Sequence, residues 1–225
     1  MIAQLLPPAV AVEEAYGEEG ADAPLYPQEA ACVARAVDKR RREFTAVRHC
    51  ARRAMERLGV PAQPVVPGER GAPRWPSGLT GSMTHCAGYC AAALVRADDL
   101  ASVGIDAEVH GPLPEGVLPS VSLPQEAERI GRLGRDRPEV HWDRLLFSAK
   151  ESVYKAWFPL TGTWLDFMEA DIELFPDPGE VTRGGFRAEL LVPGPRVGGR
   201  TVGSFDGRWT AARGLVATAV AVPHG

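Results

Sequence analysis

From Gln28 onward, apolar positions recur at three- and four-residue steps: Phe44, Val47, Ala51, Met55 and Leu58 fall on one stripe. The stripe predicts a helix with one side on a core, ending before Gly59 and Pro61. Arg41, Arg48 and Arg52 keep helical spacing beside it. Residues 61–82 alternate Pro and Gly with polar side chains and read as a loop. Two strand-like runs follow, Tyr89–Val95 and Ser102–Ile105, which ADDLA would join as an antiparallel hairpin. Residues 110–124 are Pro-rich again and read as a connection between lobes. A second helix is expected over His141–Phe158, with Trp142, Leu146, Ala149 and Val153 on one side and Phe147, Tyr154 and Phe158 around another, hence largely buried. Four strand candidates close the chain: Asp171–Phe175, Phe186–Val192, Arg200–Phe205 and Trp209–Val222, the last broken at Arg213–Gly214. Residues 1–27 carry prolines and Glu13, Glu14, Glu18 and Glu19 without a clear period, and are expected to be an irregular wrapping segment. This order predicts the α+β class: an irregular segment (1–27), an N-terminal lobe (28–109) and a C-terminal lobe (110–225).

Composition narrows the picture. A chain of 225 residues, 45% hydrophobic and 24% charged, is globular rather than disordered. Twenty prolines and 24 glycines exclude a single long helical bundle. No apolar run approaches the roughly 18–20 residues that span a bilayer, and the opening MIAQLLPPAV lacks the basic start of a secretion signal, so the cytoplasm is expected and a membrane is not. Four cysteines in a chain this long do not make a disulfide framework. The net charge is −4, yet Arg35–Arg57 holds nine Lys or Arg against three Asp or Glu. A basic segment on an acidic protein points to a specific anion site more than to a nucleic-acid surface; a solvated helix face is the plain alternative.

Asp106 and Glu108 stand two apart; on a strand both carboxylates face one side. Glu151 lies on the second helix, one turn before Lys155 and next to Lys150. An exposed Glu151–Lys155 pair would contribute only about 0.3–0.5 kcal/mol, but a charge on a helix this apolar needs a partner. If the three carboxylates met at about 4 Å, each pair would repel by roughly 4 kcal/mol at an effective dielectric of about 20. A bound proton or a hard divalent cation would relieve that, and oxygen ligands favour Mg²⁺ or Mn²⁺. Thr84 and His85 precede the strand pair and are candidates for holding phosphate oxygens, unless His85 is merely satisfied in a turn. Cys86 and Cys90 beside His85 raise a zinc site, without the second ligand pair such sites use. No G-x-S-x-G, P-loop or G-x-G-x-x-G pattern occurs. Basic helix, Gly/Pro loop with Arg70 and Arg74, Thr-His pair and carboxylates with lysines together suit a polyphosphorylated substrate and a metal.

Read in order, WPSGLTGSMTHC (75–86), VGIDAE (103–108) and FSAKESVYKAW (147–157) resemble the three signature blocks of the 4′-phosphopantetheinyl transferases. The long, enterobactin-associated (surfactin-type) branch is the most similar; RRREFTAVRHCAR (40–52) and PLTGTWLDF (159–167) resemble its actinobacterial members. The resemblance implies two similar α+β lobes about a pseudo-twofold axis, with coenzyme A in the cleft between them. It implies transfer of the phosphopantetheine arm to a serine of an apo acyl or peptidyl carrier protein of polyketide, nonribosomal peptide or fatty acid synthesis, releasing adenosine 3′,5′-bisphosphate. It places Asp106, Glu108 and Glu151 on Mg²⁺, makes Glu151 the base for the serine, directly or through water, and gives Lys155 the charge growing on the pyrophosphate. His85 and Thr84 would hold phosphate oxygens. Arg40, Arg48 and Arg52 would grip the 3′-phosphate region, and Lys150 and Trp164 would line the pantetheine side. Many relatives have a lysine near 67–75, where this chain has Pro67, Gly68, Arg70 and Ala72, making Arg70 and the Gly68 turn the candidates there. A monomer is expected, as for other long members, with residues 110–135 as the carrier-facing region. A different Mg²⁺-dependent phosphoryl enzyme, such as a nucleotide diphosphate hydrolase, and a non-catalytic coenzyme A-binding module are the competing readings.

Overall fold

Runs of small and β-branched residues flank two long helices in the computed structural model, which describes residues 1–225. In chain order it forms β1 (Ala11–Tyr16), α1 (Pro27–Cys32), α2 (Asp38–Arg57), β2 (Leu79–Cys86), β3 (Tyr89–Arg96) and β4 (Ser102–Val109). There follow α3 (Leu118–Val121), α4 (Pro124–Asp136), α5 (Trp142–Thr161), β5 (Ala170–Pro176), β6 (Arg183–Leu190), β7 (Arg196–Val197), β8 (Arg200–Thr201), β9 (Ser204–Ala212) and β10 (Leu215–Val222). One antiparallel sheet has the order β1-β3-β2 and carries α2; a second has the order β4-β10-β9-β6-β5 and carries α5. Helix on antiparallel sheet, twice over, is the expected α+β two-lobe architecture.

β3 is buried on both faces because its alternation serves two cores. Cys90, Ala92 and Leu94 meet Ala51, Ala54 and Met55 of α2. Ala91, Ala93 and Val95 meet Val103, Ile105 and Ala107 of β4 and Ala217 and Ala219 of β10. This second cluster is the apolar floor between the lobes. β2 and β4 lie side by side there without forming a ladder; the hydroxyls of Ser82 and Thr84 accept the amides of Ile105 (3.1 Å) and Ala107 (3.2 Å) instead. The seam between the sheets is therefore made by side chains.

The other face of β4 receives α5 very closely. A Cβ on Gly104 would stand 2.0 Å from the Ser152 carbonyl oxygen and 2.6 Å from the Ala156 nitrogen. Ser102 Oγ donates to the Ala156 carbonyl (2.8 Å), and Thr218 Oγ1 to that of Ser148 (2.9 Å). Small residues thus bring the helix against the sheet, placing Asp106 next to α5.

Several sequence expectations change. The first 27 residues hold β1, which pairs with β3 from Ala11↔Leu94 to Tyr16↔Tyr89. Its acids are not free: Glu13 pairs with Arg57 and Arg53 (both 3.1 Å), and Glu14 accepts the Tyr89 hydroxyl (2.5 Å). The expected hairpin of Tyr89–Val95 with Ser102–Ile105 does not form, because β3 already has β1 and β2 as neighbours and β4 pairs with β10. The loop expected to reach residue 82 gives way to β2 at Leu79. The chain turns at Val33, separating α1 from α2, and α4 begins at the end of the Pro-rich connection. Arg200–Phe205 splits between the two-residue β8 and the start of β9. The break at Arg213–Gly214 is a two-residue hairpin loop with both residues at positive φ.

Candidate active site

Between the lobes lies a cleft of about 800 Å³ lined from both sides. α2 contributes Arg40, Phe44 and Arg48, β2 contributes Thr84 and His85, β4 contributes Asp106, and α5 contributes Glu151 and Lys155. The loop 67–73 adds Arg70. Eight of these nine side chains are polar, five of them basic in type.

Asp106, 4% exposed, anchors the floor. Its Oδ1 accepts Lys155 Nζ (2.7 Å) and the Thr84 hydroxyl (3.2 Å), while Oδ2 is buried without a hydrogen-bond partner. Thr84 is fully engaged, since the same hydroxyl accepts the Ala107 amide; it steadies Asp106 rather than presenting a free donor. Glu151 is half-buried, and Lys155 turns to Asp106, so no ion pair closes on Glu151. Burial raises its pKa, the Asp106 charge adds to this, and Lys155 opposes it. Glu108 shares the face of Asp106, as the alternation implied, but Arg144 holds it at 3.2 Å. No three His, Cys, Asp or Glu side chains are gathered to hold a metal ion. Cys90 faces Cys50 at 3.9 Å under α2, whereas Cys86 packs on the opposite face, so the two do not converge with His85.

At the basic end, Arg48 lies on the Phe44 ring (3.3 Å to its centroid) and donates through Nε to the Val65 carbonyl (3.1 Å). Burial first, and the charges of Arg40 and Arg52 behind it, lower its pKa to about 10 against the pull of Glu29. It therefore keeps its charge at neutral pH. Arg40 donates to His85 Nε2 (3.0 Å), which fits a neutral imidazole. Burial and Arg40 both lower the His85 pKa.

Two expected contacts lie elsewhere, and a third, Lys150, lines a small side pocket with Trp164 while its ammonium is already engaged. Arg52 turns away from the cleft to Glu29 (3.0 Å) and the Pro24 carbonyl; Glu29, fully buried, also caps the Val65 amide. Gly68 shapes the loop by donating its N–H to the Ala72 carbonyl (2.7 Å) and does not line the cleft. Lys150 is 3% exposed, and its ammonium serves Glu126 (2.8 Å) and the carbonyls of Phe167 and Ala170. Removing one partner from such a buried pair costs roughly 3–5 kcal/mol, so Lys150 is a fixture of the lobe. Trp164, 51% exposed, stacks on Tyr154 (4.8 Å) beside a small side pocket and lies under Arg70 (5.6 Å). Sequence reasoning missed Tyr154 as a lining residue, reading it only as part of an apolar helix side.

A buried, half-paired carboxylate beside an unpaired one, with a lysine between them and arginines at the far end, defines a cleft for transferring a group from a polyanionic donor. Residues 28–95 match the family model described as the 4′-phosphopantetheinyl transferase N-terminal domain, and residues 102–190 match that of the 4′-phosphopantetheinyl transferase superfamily. The chain belongs to this superfamily and is a transferase. It is 58% identical over 224 residues to the 4′-phosphopantetheinyl transferase Svp of Streptomyces mobaraensis, covering 99% of this chain and 89% of that one. It is 48% identical over 223 residues to the 4′-phosphopantetheinyl transferase PptT of Mycobacterium tuberculosis, covering 98% and 97%. Enterobactin synthase component D of Salmonella typhi is 36% identical over 118 residues, 52% of this chain and 48% of its own. No helix is long and apolar enough to cross a membrane.

Proposed function

We propose that this chain loads carrier proteins in the cytoplasm as a monomer, with Glu151 as the base and the basic end of the cleft holding coenzyme A. The observation that carries the reading is Glu151 left unpaired beside the Lys155–Asp106 pair on the cleft floor. The Glu151 carboxylate takes the proton of the carrier serine; the serine oxygen bonds to the phosphorus of the pantetheine side. The bond from that phosphorus to the bridging oxygen breaks, and adenosine 3′,5′-bisphosphate leaves. Lys155 offsets charge growing on the departing phosphate, with His85 beside it. Arg40 and Arg48 hold the 3′-phosphate end, and Arg70 closes the loop over the donor. Tyr154 and Trp164 line the pantetheine side.

The donor set suits a hard divalent cation: Asp106 Oδ2 is an orphaned buried oxygen and Glu151 a free carboxylate. Asp106 and Glu151 would hold Mg²⁺, or Mn²⁺, with Glu108 the third ligand once free of Arg144. When bound, the ion neutralises the diphosphate. Segment 110–135, on position alone, is the face offered to the carrier.

Mixing the protein with an apo carrier, coenzyme A and Mg²⁺ should add the mass of the pantetheine arm to the carrier. Unchanged mass across acyl, peptidyl and aryl carriers refutes the reading. Bisphosphate released without a carrier would instead indicate a diphosphate hydrolase, and tight Mg²⁺-insensitive binding without product a binding module.

Coenzyme A binding should also take up a proton at His85. In the free protein burial and Arg40 hold its pKa below the usual histidine value, and a bound phosphate favours the imidazolium. Affinity therefore weakens as pH rises from the lowered pKa of the free histidine through the higher pKa of the bound one. Calorimetry in buffers of different ionisation heat reads the proton directly; His85→Gln should abolish both the uptake and the pH dependence.

A further inference from the structure

Arg144, in the first turns of α5, is absent from the mechanism above yet touches one of its carboxylates. Its guanidinium makes three contacts: Nη1 to Glu108 Oε2 (3.2 Å), Nε to the Gly111 carbonyl (3.2 Å) and Nη2 to the Pro112 carbonyl (2.8 Å). The neighbouring Asp143 accepts the Leu113 amide (2.8 Å), and His110 Nε2 accepts the His141 amide (3.1 Å). Segment 110–113 is thus tied to the start of α5 at several points, and Arg144 joins that tie to Glu108. Both ends of the ion pair are mostly shielded, with side chains 19% and 25% exposed, so the interaction is not a screened surface pair.

Glu108 cannot give its carboxylate to a cation and keep it fully on Arg144. A cation that takes Oε2 competes with Arg144 for that oxygen, and the same guanidinium carries the contacts to Gly111 and Pro112. We propose that Arg144 is a positioning residue that occupies Glu108 in the free enzyme and yields it to the divalent cation, coupling metal binding to release of segment 110–113. The proposal rests on the metal reading above and deepens it, because it makes the first residues of the carrier-facing segment respond to the loaded site. Arg144 lowers metal affinity in this scheme; it does not touch the reacting atoms.

The test is Mn²⁺ binding to the folded protein, followed by electron paramagnetic resonance without coenzyme A or carrier. Arg144→Met should tighten binding about tenfold, the scale of one charge-assisted hydrogen bond that no longer competes. Arg144→Gln serves the same purpose should the Met variant not fold. In a Glu108→Gln background the Arg144 substitution should change affinity by less than about twofold, because the competitor is already gone. Equal tightening in that background would mean that only the lost charge matters and overturns the proposal, as does unchanged or weaker binding in Arg144→Met. Hydrogen exchange supplies the second readout: in the wild type, Mn²⁺ should speed exchange in the peptide spanning 108–117, and slowing there overturns the coupling. Wild-type protein that binds no Mn²⁺ refutes the metal reading and this proposal together. Binding that ignores Arg144 refutes the proposal alone.

Discussion

Glu151→Gln is expected to slow carrier loading by about 10²–10⁴-fold, the range of one positioned general base, while coenzyme A still binds. The amide has nearly the shape of the carboxylate, so α5 keeps its packing against β4 and β10. What changes is chemistry at one atom pair: an amide cannot accept the serine proton, and it is a poorer ligand for a hard cation. The basic end of the cleft, Arg40 and Arg48, is untouched and continues to hold the 3′-phosphate region. Measured on an apo carrier by intact mass, loading should collapse while coenzyme A affinity by calorimetry falls only modestly. A variant that loads at the wild-type rate removes Glu151 from the mechanism. One that folds but binds no coenzyme A makes it a binding residue instead.

Gly104→Ala should produce the largest structural effect of any single methyl group in the chain's functional core. The added carbon would meet the Ser152 oxygen at 2.0 Å and the Ala156 nitrogen at 2.6 Å, both helix backbone that cannot rotate away. Overpacking a core costs typically about 1–3 kcal/mol, occasionally more, and here a whole helix has to lift from the sheet. A loss of about 3 kcal/mol lowers the unfolding midpoint by roughly 6–12 °C for a chain of this size. Lifting α5 also separates Lys155 from Asp106, which now stand at 2.7 Å, so loading falls with stability. Thermal unfolding by circular dichroism measures the first effect. Gly203→Ala is the control, since a Cβ there meets nothing within 4 Å and φ is not positive. Equal midpoints for the two variants would show that the helix–sheet contact is slack.

Local periodicities made much of the site legible. Alternation put Asp106 and Glu108 on one face, and helical spacing put Glu151 one turn from Lys155. Helical spacing raised Arg48, the Thr-His pair raised His85 and the family blocks added Arg40; all three line the cleft. Contacts chosen at a distance escaped the sequence. Glu29, 23 residues before Arg52, takes that arginine out of the cleft. Lys150 points away from the main cleft that Glu151 lines because successive helical residues diverge by about 100°. Its anchors, Glu126 and two loop carbonyls, are not adjacent in sequence. β1 was hidden because acids that read as exposed are engaged, Glu13 by the arginines of α2 and Glu14 by a hydrogen bond from Tyr89. The β3–β4 hairpin failed for a related reason: pairing partners are settled by sheet order, which spacing along the chain does not encode.

The hydroxyls of Ser82 and Thr84 have a mechanical consequence. Where two sheets share a main-chain ladder, widening the gap breaks bonds in register; where they share side-chain oxygens, rotation about χ1 lets the joint give a little without unzipping either sheet. The spacing of the groove above that joint thus rests on two hydroxyl contacts, and each sheet carries its own share of the cleft residues.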